Sequence, residues 1–219
     1  MSLKLAIVPV TPFQQNCSIL VCTETGQAVA VDPGGDLEQI DAAIDELGAS
    51  LQKVLLTHGH IDHCGQAGEY AARHAVPIEG PQREDRFWID QLPAQGQRFG
   101  FPRLDPFEPD RWLEDGDTVE FGAQTLMVRH CPGHTPGHVI FFHESSRLAI
   151  VGDVLFQGSI GRTDFPRGDF DTLIRSITGR LWPLGPDVAF VPGHGQMSTF
   201  GDERAHNPFV ADQVLAAGR

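Results

Sequence analysis

The chain is poor in cysteine, with 4 among 219 residues, and Cys17, Cys22, Cys64 and Cys131 never fall into a Cys-x-x-Cys spacing. That excludes a zinc-finger cage and a dithiol redox motif, and leaves free thiols that read as small buried filler. Cationic side chains are also scarce: 16 Lys and Arg stand against 29 Asp and Glu, for a net charge of -13. Neither a nucleic-acid surface nor a polybasic membrane contact fits this balance. A small anionic substrate is still admissible, because a bound metal dominates its local field. No apolar run approaches the ~20 residues of a membrane span. The segment Met1 to Val10 is interrupted by Pro9 and shows no convincing leader-cleavage region, so the expected location is cytoplasmic. Glycine-rich nucleotide fingerprints with a phosphate-binding Lys are missing, and no Pro/Ser/Gly-rich linker divides the chain. Residues 1–219 are expected to form one domain around a substantial core, as a monomer or small homo-oligomer.

What is present is a chain of short strands and helices. Leu5–Val8, Ser18–Val21 and Ala28–Val31 read as strands, with a hairpin turn at Thr25-Gly26. Asp36 is expected to cap a helix whose apolar positions Leu37, Ile40, Ile44 and Leu47 recur at helical spacing before Gly48. Lys53–Leu56 returns to strand, and Gly65–Ala75 reads as helix. Residues 81–111 mix Arg, Phe and Trp with Pro and Gly and read as an irregular surface excursion bordering a substrate entrance. Strands follow at 118–121, 124–128, 139–142, 148–151 and 188–191, with helices at 170–178 and 203–217. Strands followed by helices in both halves predict an α/β sandwich of two sheets with helices on the outer faces, in preference to one doubly wound sheet.

Chemistry concentrates in the run Thr57-His58-Gly59-His60-Ile61-Asp62-His63, directly after an apolar strand. Imidazole nitrogens and carboxylate oxygens suit zinc and other borderline divalent ions. Three later segments offer matching groups at turn positions: Pro132-Gly133-His134, Gly152-Asp153 and Pro192-Gly193-His194. The expected division puts His58, His60 and His134 on one ion and Asp62, His63 and His194 on another, with Asp153 bridging both. Such a pair, about 3.5 Å apart, makes hydroxide available near neutral pH. Asp62 and Asp153 are accordingly the candidate catalytic carboxylates. His138 and Asp32 are expected behind the ligands, orienting them. Arg162, in a Gly-bounded turn, either grips a substrate carboxylate through its planar fork or pairs with Asp164 and fixes the loop.

Taken together, His58-Gly-His60-Ile-Asp62-His63, His134-Thr-Pro-Gly-His138, Gly152-Asp153 and Gly193-His194 resemble the metallo-β-lactamase superfamily over nearly the whole chain. The resemblance implies two mixed β-sheets in an αββα sandwich, with the metal centre at one edge. Asn16-Cys17, Asp32-Pro-Gly-Gly35, Gly161-Arg-Thr-Asp-Phe165, Pro192–Thr199, Glu203-Arg204 and Asn207-Pro-Phe209 are similar to short, single-domain type II glyoxalases, the hydroxyacylglutathione hydrolases. The implied reaction is hydrolysis of S-D-lactoylglutathione or a related small anionic thioester by metal-bound hydroxide. Its cofactor would be two divalent ions, zinc first, with iron or manganese as alternatives. Arg162 falls where longer members grip glutathione, but Asp164 stands where they carry a Tyr, and no separate helical substrate domain is expected after His194. Around Arg162–Phe165 the chain also resembles a persulfide dioxygenase, which would need one iron held by His58, His134 and Asp153. A broader metallo-hydrolase is a further alternative. A nuclease would require a further domain and a nucleic-acid surface, and a non-catalytic metal module would not need every ligand intact.

Overall fold

Successive side chains along a strand point to opposite faces, and several strands here bury both faces, as Gln15–Cys22 and Val139–His143 do. The computed structural model describes residues 2–101 and 103–217. Its first sheet holds β1 (Leu3–Val10), β2 (Gln15–Cys22), β3 (Gln27–Val31), β4 (Ser50–Leu55) and the two-residue β5 (Ile78–Glu79), in that spatial order. β1, β2 and β3 run antiparallel, whereas β3, β4 and β5 run parallel. The second sheet contains β6 (Thr118–Phe121), β7 (Gln124–His130), β8 (Val139–His143), β9 (Leu148–Gly152), β12 (Ala189–Pro192) and β13 (Ser198–Thr199), ordered β13-β12-β9-β8-β7-β6. Only the β9/β12 pair is parallel there. A small hairpin of β10 (Leu155–Phe156) and β11 (Ser159–Ile160) stands apart.

Successive side chains leave a strand on opposite faces, so each sheet feeds two apolar layers. Leu20, Val29, Val31 and Leu55 of the first sheet meet Val128, Val139, Phe141 and Ile150 of the second in the central layer. Their neighbours Ile19, Val21, Ala30 and Val54 pack outward on Leu37, Ile40 and Ile44 of α1 (Leu37–Glu46) and on Tyr70 and Ala71 of α3 (Ala67–His74). On the far side, Ile140, Phe142, Val151 and Phe190 pack against Leu173 of α6 (Phe170–Ser176), Ile177 and Leu181 of a π-helical turn, and Phe200 of α7 (Phe200–His206). The result is the expected αββα sandwich of two mixed sheets.

Four local expectations need correction. Asp36 adopts a left-handed conformation, φ 51°, and its side chain makes no capping bond to α1; its carboxylate instead accepts the Thr11 amide at 2.7 Å. The segment read as irregular carries a 3-10 turn, α4 (Arg86–Ile89) and α5 (Leu92–Phe99), and buries Asp85, Trp88, Ile89, Leu92 and Leu104. It packs on the helix side of the first sheet. The last helix is two, α7 and α8 (Asp212–Ala217), because Pro208 drives Asn207 into extended geometry, ψ 127°. Likewise a short α2 (Ile61–Cys64) precedes α3, so the helix read from Gly65 starts after a break.

Candidate metal centre

Strand ends gather the polar groups at one edge of the sandwich. β3 ends at Val31 and delivers Asp32; β4 ends at Leu55, and the chain continues through Thr57 and His58 into α2; β9 delivers Asp153 and β12 delivers His194. Backbone bonds hold these loops together: Val139 N donates to Thr57 O at 2.8 Å, Gly193 N to Gly152 O at 2.8 Å, and Asn16 N to Gly193 O at 2.7 Å. The side chain of Asn16 donates to the carbonyls of Pro192 and Gly195, on either side of His194.

His58, His60 and His134 converge: His58 Nε2 and His134 Nε2 lie 3.1 and 2.9 Å from His60 Nδ1. Outer bonds of His58 and His134 fix which of their nitrogens carries hydrogen, whereas His60 Nε2 is buried without a partner. The Thr57 hydroxyl donates to Asp32 Oδ2 at 2.6 Å, so its oxygen receives the Nδ1–H of His58 at 3.0 Å. His134 Nδ1 donates to the Arg162 carbonyl at 2.7 Å. Both Nε2 lone pairs are therefore aimed at the same small volume as His60 Nδ1, an arrangement of acceptors that a cation satisfies. Burial and the neighbouring imidazoles hold His58 and His60 well below the usual imidazole range, so both rings are neutral at neutral pH, each with one nitrogen lone pair free for a cation.

Asp62, His63 and His194 form a second cluster, with their donor atoms within 4.8 Å of one another. His194 Nε2 lies 3.1 Å from Asp62 Oδ2, and its Nδ1 donates to the Phe13 carbonyl at 3.1 Å. His63 Nδ1 donates to Asp32 Oδ2 at 2.9 Å, turning Nε2 inward. Asp153 sits between the clusters, with Oδ1 at 3.3 Å from His63 Nε2 and Oδ2 at 3.5 Å from His134 Nε2. His63 Nε2 and Asp153 Oδ1 are buried without a hydrogen-bond partner. Orphaned donor atoms facing one another in a set of imidazoles and carboxylates are what two divalent ions need, so the residues fit such a pair. Burial disfavours charge on His63, but the carboxylates of Asp153 and Asp62 outweigh it and raise that imidazole well above its usual range. Burial opposes ionisation of Asp153 as well, yet His63 and the other imidazoles depress it.

The remaining residues singled out in the sequence lie around this core. Asp32 accepts from the Thr57 amide and hydroxyl and from His63, which leaves its oxygens occupied as an orienting group. His138 stacks on His58, with centroids 4.6 Å apart, and its Nε2 accepts the Asp153 amide at 3.1 Å. Of the two roles open to Arg162, the structure shows the pairing: Nε and Nη2 engage both oxygens of Asp164 at 2.9 and 2.7 Å. All four cysteines are free and buried.

Sequence reasoning missed Asp85. Its buried carboxylate accepts from Gly59 N, Thr135 Oγ1 and Gly137 N at 2.8, 2.7 and 2.6 Å. It thereby ties the His58–His60 loop to the His134–His138 loop. Burial pushes this carboxyl up to about 6, the three donors limiting the rise. Trp88, from the same segment, meets His60 edge-on at 4.5 Å, and Phe165 lies 5.0 Å from His60, so two aromatics wall the first cluster.

Comparison with known proteins agrees with this architecture. The chain is 46% identical over 209 residues to hydroxyacylglutathione hydrolase GloC of Haemophilus influenzae, covering 95% of this chain and 98% of that one. It is 33% identical to the mitochondrial persulfide dioxygenase ETHE1 of Bos taurus, across 84% of this chain and 67% of the relative. Among solved structures, TTHA1623 in a di-iron-bound form superposes with a TM-score of 0.84 at 33% identity, covering 93% of this chain and 99% of that one. No helix among the described residues is long and apolar enough to cross a membrane. Residues 10–194 match the family model of the metallo-beta-lactamase superfamily, and the chain, an enzyme of the hydrolase type, belongs to that superfamily.

Proposed function

We propose that the protein is a metal-dependent thioester hydrolase that converts S-D-lactoylglutathione or a related hydroxyacylglutathione to glutathione and a 2-hydroxy acid. The observation that carries this reading is the pair of clusters joined by Asp153, with His63 Nε2 and Asp153 Oδ1 left unpartnered between them. His58, His60 and His134 would hold one divalent ion, Asp62, His63 and His194 the other, and Asp153 both; we read zinc as the resident metal. Two ions there supply a Lewis acid for the thioester carbonyl and a water acidic enough to attack near neutral pH.

The chain's own groups arrange the rest. Asp32 and the carbonyls of Arg162 and Phe13 fix the rotamers and tautomers of His63, His134 and His194. Trp88 and Phe165 shield the His60 side from solvent, which strengthens electrostatics inside the site. Asp62 and Asp153 supply the negative charge that balances the cations. Every one of these side chains faces a cluster or a structural partner, so no separate acid stands ready for a leaving group. A thiolate, whose parent thiol has a pKa near about 8.5, departs without one, whereas an amine does not. This favours thioesters over amides. The GloC relative supports the same choice by its name.

The persulfide dioxygenase relative motivates a second reading, with one iron on His58, His134 and Asp153. It gives Asp62 and His194 no role. Purified, metal-replete protein assayed in parallel for thiol release from S-D-lactoylglutathione and oxygen uptake with glutathione persulfide separates the two. Thiol release without oxygen uptake is the expected result; oxygen-dependent sulfite formation without thioester cleavage would overturn the assignment.

A further inference from the structure

Arg167 occupies a backbone position that an arginine rarely takes. Residues Phe165-Pro166-Arg167-Gly168 form a tight turn closed by Gly168 N donating to Phe165 O at 2.9 Å. Pro166 suits the second position of such a turn, but the third, with φ 66° at Arg167, is one that favours Gly or Asn. A strained residue maintained on a rigid turn beside a site invites a functional explanation. Its guanidinium rests 4.0 Å over the ring of Phe87. Phe87 in turn meets Trp88 at 5.3 Å, and Trp88 meets His60 at 4.5 Å. An aromatic path therefore runs without a gap from Arg167 to the first metal cluster.

The cation is also uncommitted. Asp164 is bound by Arg162, Asp169 by Arg175 and the start of α6, and Asp90 by Arg86. These acids on the adjoining elements all serve other partners, and among the described residues no carboxylate pairs with Arg167. Arg162, by contrast, has its planar fork filled by Asp164. A planar guanidinium held on a ring face, with its edge open to solvent, is pre-organised for bidentate capture of a carboxylate.

We propose that Arg167 is a specificity-determining residue that binds a carboxylate on the thiol half of the substrate while the thioester carbonyl lies at the metal clusters. The steps from the Arg167 guanidinium to Phe87, Trp88 and His60 are 4.0, 5.3 and 4.5 Å, and a thiol half of tripeptide size, reaching about 10 Å, spans most of that course. The inference rests on the thioesterase reading for its substrate, but the anion site itself does not. Its consequence is a preference for thioesters of acidic thiols over those of neutral thiols.

The test uses the full-length, metal-replete protein and the variants Arg167→Ala, Arg167→Gly, Arg162→Ala and, as a control remote in charge pairing, Arg103→Ala. S-methylglutathione is titrated by calorimetry, and hydrolysis of S-D-lactoylglutathione is compared with that of S-acetyl-N-acetylcysteamine, whose thiol half is neutral. Loss of a charge-assisted bidentate contact predicts about ten- to hundredfold weaker S-methylglutathione binding in both Arg167 variants. KM for the glutathione thioester should rise by a similar factor with kcat held, while the neutral thioester is turned over as before. Arg167→Gly should melt within about 2 °C of the parent, because relief of the positive φ offsets the lost contact with Phe87, so weaker binding in it is not a folding defect. Unchanged affinity in the Arg167 variants, or a loss confined to Arg162→Ala, overturns the proposal. So does an absence of S-methylglutathione binding by the parent protein. If no thioester is cleaved while Arg167-dependent binding persists, the reaction assignment fails and the anion site stands.

Discussion

Replacing Asp85 with Ala probes the frame that holds the first cluster, without touching a ligand. Its carboxylate satisfies three donors, two backbone amides and the Thr135 hydroxyl, in a fully buried position. Each donor left unpaired costs roughly 1–3 kcal/mol, so the three together cost about 6 kcal/mol. Part of this is offset. Burial raises the carboxyl to about 6, about two units above its ordinary value, so removing the ionised group at neutral pH relieves about 3 kcal/mol. The net destabilisation is about 3 kcal/mol, which for a chain of this size lowers the melting temperature by about 6–12 °C. The sign of the offset is checkable. The folded state holds the Asp85 proton more tightly than the unfolded state, so this group's contribution to stability falls as pH rises from about 4 to about 6. The deficit of Asp85→Ala should therefore be larger near pH 4 than near pH 7. Calorimetric unfolding at the two pH values, with metal affinity measured by chelator competition, reads both effects. Because Gly59 separates His58 from His60 and Thr135 follows His134, metal affinity at the first cluster should fall as well. A melting temperature within about 2 °C of the parent, together with unchanged metal affinity, would refute the reasoning.

Two further outcomes follow from the geometry. A Cβ on Gly193 would overlap Asp153 Oδ1 and His63 Cε1, so Gly193→Ala should displace the bridging carboxylate and lose one equivalent of metal, at about 1–3 kcal/mol of stability; two tightly bound equivalents by elemental analysis would contradict this. Loading should also depend on pH in a fixed order. Protons compete with metal for ligand lone pairs: His58 and His60 are already neutral at neutral pH, whereas carboxylate neighbours raise His63 and His194 against the opposing effect of burial. The first cluster should retain its ion to lower pH, and occupancy of the second should climb as pH rises above the ordinary imidazole value of about 6.5. Simultaneous loss of both ions on acidification would count against that order.

The convergence of the two clusters was legible because the segments that carry them each follow an apolar strand, and strand ends on one edge of a sandwich bring distant segments together. His58, His134, Asp153 and His194 could all be picked out in that way. The groups that aim them were not. Asp85 bonds to backbone amides, and no residue pattern announces an amide's direction. The carbonyls of Arg162 and Phe13, which set two imidazole tautomers, are equally invisible in side-chain identity. Asp36 looked like a cap because capping residues precede helices, but its carboxylate is taken by Thr11. The break at Asn207-Pro208 was readable from the proline, which disfavours helix at the residue before it. Residues 81–111 lack strong periodicity, since their helices are short and bury only a few side chains each.

In the proposed reaction two ions, joined through Asp153, act together on a thioester. Thiol release from S-D-lactoylglutathione, followed while zinc is added stepwise to metal-free protein, tests it most directly. Little activity is expected up to one equivalent and full activity on filling the second site, with Asp153→Asn inactive throughout. Full activity at one equivalent would contradict it.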